Sequence, residues 1–319
     1  MKCYNVLVTG TSSYGVGEGL IKIISLSRYR NSIRLIVASN SDLIAYKDLA
    51  DKYYVLPSAK SNIYLEALME LIIREKIDVL IPGSEAEMEV ISRNKCHFKD
   101  VDAWVNDYNL IKLFNNKSNA NEFLSKNNIY VPCTFEKIEE DKLKYPLIIK
   151  PTQGKSSENI YVARNATQLE SVINLFKSYN RKFIIQEYIE EGEEYTISLI
   201  NLNNKDVKVL IMKRILCKGA TQYAYIEENY IIKEIALKIH NLIKNELIIN
   251  IQILKKDDKY FVLEINPRFS GSSPMRAMLG FNEFDIIFSF KYLKQNFQYN
   301  LIKNKFAIRG YKEFSYVKK

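Results

Sequence analysis

Apolar residues in the first hundred positions fall into short, unbroken runs. Tyr4–Thr9, Ile33–Ala38 and Asp78–Pro82 read as buried strands. Between them, Asn62–Lys76 carries Tyr64, Ala67, Leu68, Leu71 and Ile72 at the spacing of one helix face. Strand and helix alternate, which predicts a parallel sheet. The stretch PGSEAEMEV at 82–90 reads as a strand end, an N-cap at Ser84 and an acidic first helical turn.

The pattern changes from Asn109. A helix through Ala120–Lys126 should stop at Asn127 and Asn128, and Pro132 fixes an extended exit. YPLIIKP (145–151), IYVA (160–163), a helix near Thr167–Tyr179 and KFIIQEYI (182–189) follow, a module of about eighty residues. Beyond Glu191-Gly192 the strands lengthen: 194–200, 207–216, 247–254 and 260–266. With helices at Ile231–Lys244 and Glu283–Lys294, they predict an antiparallel sheet. Three segments result: an α/β segment at 1–110, a small α+β module at 111–188 and a sheet-rich one at 189–319.

Composition removes several classes. The chain has 319 residues, 47% of them hydrophobic, with 22 Tyr and 15 Phe, which is ample for a core. Its net charge of +9 comes from lysines dispersed among acids and Asn. That reads as a solvated surface, with no nucleic-acid partner. Cys3, Cys96, Cys133 and Cys217 include no CxxC pair, and His97 and His240 lie far apart, which argues against zinc or a disulfide framework. The first apolar run breaks at Thr9-Gly10, and no run reaches the ~18 residues of a membrane helix. The expected setting is cytoplasmic, with no membrane partner.

The loop after the first strand invites a nucleotide reading that its residues do not sustain. Gly10-TSSY-Gly15 lacks the lysine of a Walker A loop. Gly15 and Gly17 begin a dinucleotide fingerprint, but Leu20 stands where its third glycine belongs. Two readings stay open: a turn that lets a helix pack closely, or an anion pocket at a helix N-terminus.

The chemistry concentrates in INIQILKKDDKYFVLEINPRFSGSSP (249–274). On the second strand of this hairpin Phe261, Leu263 and Ile265 should share one face, and Val262, Glu264 and Asn266 the other. If even-numbered positions pair, Gln252, Glu264 and Asn266 converge. One carboxylate and two amides suit Mg²⁺ shared with phosphates. Arg268 follows beyond Pro267 and could take a phosphate bidentately.

This segment resembles the metal-binding end of ATP-grasp enzymes, in particular the branch similar to the carbamoyl phosphate synthase large subunit. The resemblance rests on Gln252 and on Glu264-Ile265-Asn266-Pro267-Arg268. It implies an ATP-grasp fold: a Rossmann-like N-terminal domain, a small lid and an antiparallel-sheet subdomain. The rest of the chain agrees in order. Lys117 matches the family's phosphate-touching lysine in the entry helix, and Lys150 its second. Glu187, Tyr188 and Ile189 match the hinge that meets adenine through backbone groups, and Glu194 the ribose ligand. Lys213 or Arg214 matches a basic residue facing the γ-phosphate. Gly154, Lys155 and Ser156 lie in a lid loop poorer in glycine than the family's, so Lys155 and Ser156 would have to supply phosphate donors there.

The function implied is a ligase using ATP and Mg²⁺ (Mn²⁺ can substitute). A carboxylate would become an acyl phosphate and an amine would attack it, with Arg268 and Lys213 or Arg214 stabilising the transferring charge. The partners would be small-molecule carboxylates and amines, with a homodimer left open. A phosphotransferase and a non-catalytic nucleotide-binding protein are the alternatives. The acceptor pocket would lie between the N-terminal domain, the 270–280 loop and RILCKGAT. Ser12, Ser13 and backbone N–H groups would line it, and Ser272, Ser273 and Arg276 are candidate carboxylate binders.

Overall fold

A computed structural model describes residues 2–11, 15–135, 143–153, 159–203, 206–310 and 312–315. The chain begins with β1 (Tyr4–Thr9), α1 (Val16–Ser25), β2 (Ile33–Ser39), β3 (Lys52–Val55), α2 (Tyr64–Glu75), β4 (Val79–Pro82), α3 (Glu85–Arg93) and β5 (Asp102–Ala103). The strands form a parallel sheet of order β3-β2-β1-β4-β5. Two helices follow, α4 (Tyr108–Phe114) and α5 (Lys117–Lys126). Next come β6 (Thr134–Phe135), β7 (Leu147–Pro151), β8 (Tyr161–Ala163), α6 (Ala166–Ser178) and β9 (Phe183–Glu187), whose strands make a small antiparallel sheet.

The last part holds β10 (Glu193–Asn203), β11 (Asp206–Cys217), β12 (Ala220–Ile226), α7 (Tyr230–Ile243), β13 (Ile248–Lys256) and β14 (Lys259–Asn266). After them come α8 (Ser273–Met278), α9 (Glu283–Phe288), a π-helical turn at Ser289–Leu293 and β15 (Phe306–Ile308). These strands form a six-stranded antiparallel sheet, β14-β13-β10-β11-β12-β15. The two sheet types follow the sequence pattern, but β3, β5, β6, β12 and β15 are additions to it. β3, β5, β6 and β15 are too short for periodicity to separate them from loop, and β12 mixes Tyr with polar and small residues. Among the described residues no helix is long and apolar enough to cross a membrane.

The two faces of the large sheet have different roles. Tyr195, Ile197, Leu199, Ile249, Ile251 and Ile253 point to one face, where they pack with Leu124 of α5 and with Ile232, Ala236 and Ile239 of α7. The opposite face is graded along the strands. At one end Ile200, Leu210, Met212 and Ile248 share a core with β1, α1, α8 and α9. In the middle Thr196 and Asn250 form a buried polar layer. At the far end Glu194, Arg214, Gln252 and Glu264 reach a cavity. One continuous core therefore joins the parallel sheet to the strands that carry the polar residues.

The first loop resolves mainly as packing. A Cβ on Gly17 would lie 2.2 Å from the Gly10 carbonyl oxygen. One on Gly83 would lie 2.4 Å from the Thr9 oxygen and 2.5 Å from the Gly17 Cα. The ends of β1 and β4 and the start of α1 thus meet backbone to backbone, which only glycine permits. Ser84 caps α3 by accepting from the Glu87 N–H, and its hydroxyl donates to the buried Glu87 carboxylate at 2.6 Å. Burial pushes that carboxyl above its ordinary pKa, against the hydrogen bonds from Ser84 and its neighbours. Ser12 and Ser13 lie outside the described residues. We expect Gly83→Ala to destabilise the protein by roughly 1–3 kcal/mol, an overpacking cost. A thermal melt should fall by several degrees, and an unchanged midpoint would refute the close packing.

Candidate active site

A cavity of about 420 Å³ opens between the small sheet, the start of α5 and the large sheet. Its size suits a nucleotide or a similar ligand. From the small sheet and the segment after it come Lys150, Glu187, Tyr188 and Ile189; from α5 comes Lys117; from the large sheet come Glu194, Arg214, Gln252 and Glu264. Nine positions singled out from the sequence are thus brought to one cavity. Gly154, Lys155 and Ser156 lie outside the described residues.

Strand register makes the central cluster. In the β13–β14 ladder Gln252 pairs with Glu264 and Asn250 with Asn266. Directly opposed residues in an antiparallel pair share a face, so even-numbered positions do converge. A register shift between Gln252 and Ile253 then breaks the alternation expected for β14. Val262 turns to the core face with Ile265, while Leu263 and Glu264 both reach the cavity. A β-bulge, which adds one residue on one strand, is the physical reason. Asn266 is buried, at 8% exposed, and is not among the cavity-lining residues with Gln252 and Glu264; its Oδ1 accepts from Arg268 Nη2 at 3.0 Å.

The same alternation separates Lys213 from Arg214. Arg214 faces the cavity; its Nη2 donates to Glu194 Oε2 at 3.0 Å and to Gln252 Oε1 at 2.9 Å. Lys213 is one residue earlier and points to the other face, where it pairs with Glu193, which also holds Lys255 at 3.2 Å. Lys213 is therefore not brought to the site. These two lysines hold the Glu193 carboxyl well down, at about 2.

Arg268 sits beside the cavity rather than on its wall. Its Nη2 pairs with Glu85 Oε1 at 2.7 Å and its Nη1 donates to the Phe269 carbonyl at 3.1 Å. Glu85 opens α3 in the N-terminal segment, so this ion pair crosses from the parallel-sheet part to the end of the β13–β14 hairpin. Nothing in the sequence pattern marks Glu85 as a partner, because 183 positions separate the two. Nearby, a Cβ on Gly271 would lie 3.9 Å from Gly15, so the first loop borders the same region.

Ser272, Ser273 and Arg276 must be reassigned. Arg276 is 0% exposed and pairs with Glu283 at 2.6 Å. Its Nη2 also donates to Thr196 Oγ1 at 3.0 Å and Asn250 Oδ1 at 2.6 Å. Ser273 donates to Glu283, and Ser272 to Thr221 Oγ1 at 3.0 Å. These side chains belong to the polar layer under the site; the one Arg276 donor left without a partner, Nε, is itself buried, so none is open to a carboxylate.

Hydrogen bonds set the hinge. Glu187 Oε1 accepts from the Cys133 N–H at 2.8 Å, and the Tyr188 N–H donates to the Pro146 carbonyl at 3.1 Å. Gln186, fully buried, donates through Nε2 to Thr134 Oγ1 at 2.9 Å and to the Pro132 carbonyl at 3.3 Å. Lys117, the first residue of α5, lies 3.9 Å from Glu264 Oε1. Its backbone N–H donates to the Thr152 carbonyl at 2.9 Å, which ties α5 to the end of β7.

Comparison with known proteins decides the family. Residues 114–272 match the model of the ATP-grasp domain, and residues 13–105 that of the PylC-like N-terminal domain. The chain belongs to the ATP-grasp family. The D-alanine–D-alanine ligase of Petrotoga mobilis is 28% identical over 161 residues, 45% of this chain and 54% of the relative. The chain thus spans about half the length of the D-alanine–D-alanine ligases it matches. The carbamoyl-phosphate synthase of Methanobrevibacter smithii is 19% identical over 280 residues, 81% of this chain and 74% of that protein. In fold, the chain resembles the biotin carboxylase domain of Hydrogenobacter thermophilus 2-oxoglutarate carboxylase, a dimer solved with MgADP and bicarbonate. That match has a TM-score of 0.73 and 15% identity, covering 96% of this chain and 74% of the other.

In this cavity Lys150 carries a pKa moved toward neutrality. Burial, helped by the charge of Lys117 and opposed by Glu264, lowers its pKa to about 8. A bound triphosphate would favour the charged form, so binding above pH 8 must take up a proton. Nucleotide affinity should therefore hold below pH 8 and fall as pH rises through it, by up to about tenfold per unit. Calorimetric titration from pH 6.5 to 9.5 checks this. Lys150→Met should bind more weakly and lose that slope.

Proposed function

We propose that this protein is an ATP-dependent carboxylate–amine ligase that releases ADP. The observation that carries this reading is the pairing of Gln252 with Glu264 on the wall of a cavity that also holds Lys117, Lys150 and the hinge. Gln252, Glu264 and Asn266 form an all-oxygen donor set that fits Mg²⁺, and Mn²⁺ can take the same ligands. The ion, when bound, neutralises β- and γ-phosphate charge. Glu187, Tyr188 and Ile189 would border the base, and Glu194 the ribose. Lys117 and Lys150 would offset triphosphate charge, and Arg214 and Arg268 the charge that develops at the γ-phosphoryl group.

The reaction then runs in two displacements. A substrate carboxylate oxygen attacks the γ-phosphorus, the bond to the β-phosphate oxygen breaks, and ADP leaves. An amine attacks the acyl carbon of the resulting acyl phosphate, the carbon–oxygen bond breaks, and phosphate leaves as the amine nitrogen loses its proton. Arg268 lies beside both the metal-ligand strand and the N-terminal segment, so its guanidinium is within reach of the acyl phosphate and of the carboxylate it forms from. The use of ATP and small acids suits a cytoplasmic setting. Two ends of the chain would bound the acceptor: Glu85 and the first loop from one side, the 269–274 loop from the other.

A phosphotransferase on the same fold would release the phosphorylated acid, and a non-catalytic nucleotide-binding protein would release nothing. ADP release under Mg-ATP across carboxylate and amine pairs separates the three. The ligase reading expects amide product and phosphate that both depend on the amine. Glu264→Ala should cut turnover by at least about 100-fold, since it removes the carboxylate ligand; full turnover in that variant would sink the metal assignment. Gly15 adopts φ 148°, a backbone state that side chains disfavour. Gly15→Ala should raise the KM of the carboxylate or amine several-fold and leave that of ATP nearly unchanged. A selective loss of ATP affinity would place the first loop at the nucleotide instead.

A further inference from the structure

Arg214 occupies an unusual position among the cavity residues. Its Nε and Nη2 lie 3.2 and 3.0 Å from the same oxygen of Glu194, Oε2. Nη2 also reaches across β10 to Gln252 Oε1, at 2.9 Å, and Nη1 lies 3.5 Å from Thr221 Oγ1. The side chain is only 7% exposed, so it depends on these partners rather than on water. A guanidinium only donates, so the Gln252 atom that faces it is the amide oxygen. That oxygen is also the one available to a divalent cation, since an amide nitrogen is no ligand for Mg²⁺. Glu194, which fixes Arg214 from the other side, is the carboxylate assigned to the ribose.

We propose that Arg214 is a competitor for the metal site, which couples cation binding to nucleotide binding. A divalent cation on Gln252 Oε1 would sit about 2.1 Å from an oxygen already bonded to a positive charge. The two cations repel across one shared acceptor in a poorly solvated pocket. Ribose hydroxyls donate to Glu194 and so compete with Arg214 for that carboxylate. Phosphate oxygens give the guanidinium a bidentate alternative. Nucleotide thus draws Arg214 off both partners and leaves Gln252 to the cation. Linkage is reciprocal, so the cation must tighten nucleotide by the same factor. The inference rests on the ligand assignment made for the proposed ligase and adds the order in which the ligands enter.

The test measures free Mn²⁺ by electron paramagnetic resonance with the full-length protein, with and without ADP. Arg214→Lys keeps a cation beside Glu194 but shortens its reach to Gln252. Arg214→Met with Glu194→Gln removes both charges together and guards against a bare carboxylate drawing metal by itself. A circular-dichroism melt establishes that each variant is folded. Wild-type protein should hold Mn²⁺ tightly only with ADP. Both variants should hold it without nucleotide at least about tenfold more tightly than wild type, within the usual span of coupling factors.

If wild type and both variants bind Mn²⁺ alike without nucleotide, competition by Arg214 is refuted. The same holds if neither variant gains while wild type with ADP binds normally, and in that case the ligand assignment survives. If wild type with ADP fails to bind Mn²⁺, or Glu264→Ala binds it equally well, the ligand assignment fails and takes this inference with it. Should one variant not fold, the other decides. Should neither fold, the wild-type ADP titration at increasing Mn²⁺ decides: an ADP affinity independent of Mn²⁺ refutes the coupling.

Discussion

A one-residue slip in the β13–β14 pairing would turn Gln252 and Glu264 to opposite faces of the sheet. That register is the constraint on which the rest of the site depends. It is held from below by packing, because Ile251, Ile253 and Ile265 are all buried on the core face. It is held from the side by β10, whose Thr196 pairs with Gln252 and whose Ser198 pairs with Asn250. The bulge adds the final adjustment. By sending Val262 into the core it lets Leu263 and Glu264 both reach the cavity, an apolar wall beside a carboxylate.

A second tier lies under that register. Arg276 and Glu283 are both fully enclosed, and an ion pair so buried is weak evidence of stability. Its use here is better read from its neighbours. Arg276 donates to Thr196 and Asn250, which stand beside Gln252 on adjacent strands. Truncating one partner would leave an uncompensated charge next to β10 and β13, so the layer fixes side-chain orientation more than it adds net stability. The cavity above it gathers Lys117, Lys150 and Arg214 with Glu187, Glu191, Glu194 and Glu264; Arg214 pairs with Glu194, and Lys117 lies 3.9 Å from Glu264. Burial above all lowers the Lys150 pKa, with Lys117 adding to it, so an anionic group placed beside the two lysines would favour the charged form.

Much of this was legible in the sequence because its signals were local. The hairpin alternates apolar and polar residues over Ile249–Ile253 and again over Leu263–Asn266, which carries the face, while the register stayed a condition on even-numbered positions pairing. The parallel sheet announces itself in short apolar runs for the same reason. The chain does not encode in any local window what lies across space from it. Lys213 and Arg214 stayed interchangeable because choosing between them needs the β10–β11 register. Arg276 stood as a candidate carboxylate binder because arginine is seldom fully buried, and only its burial against Glu283 shows otherwise. Glu85 had no mark at all, and the bulge at Gln252 was invisible because a strand with one extra residue reads as an ordinary strand.

The first loop illustrates how one feature can serve packing and a site together. Gly10, Gly17 and Gly83 are needed where backbone meets backbone, and that alone would account for a glycine-rich turn. Yet the same close approach brings the start of α1 toward the 269–274 loop, and α3 toward Arg268. Were the glycines larger, β1 and β4 would separate from α1, and the Glu85–Arg268 pair would lose the geometry that spans the two parts. The resemblance to a nucleotide-binding turn therefore has a physical origin without a nucleotide. In both cases glycine is selected by close backbone approach, and what differs is whether the neighbour is a phosphate or another strand. Here the neighbours are Thr9, Gly10 and Gly17 themselves, and the charged groups that suit a triphosphate stand on the other side of Arg268.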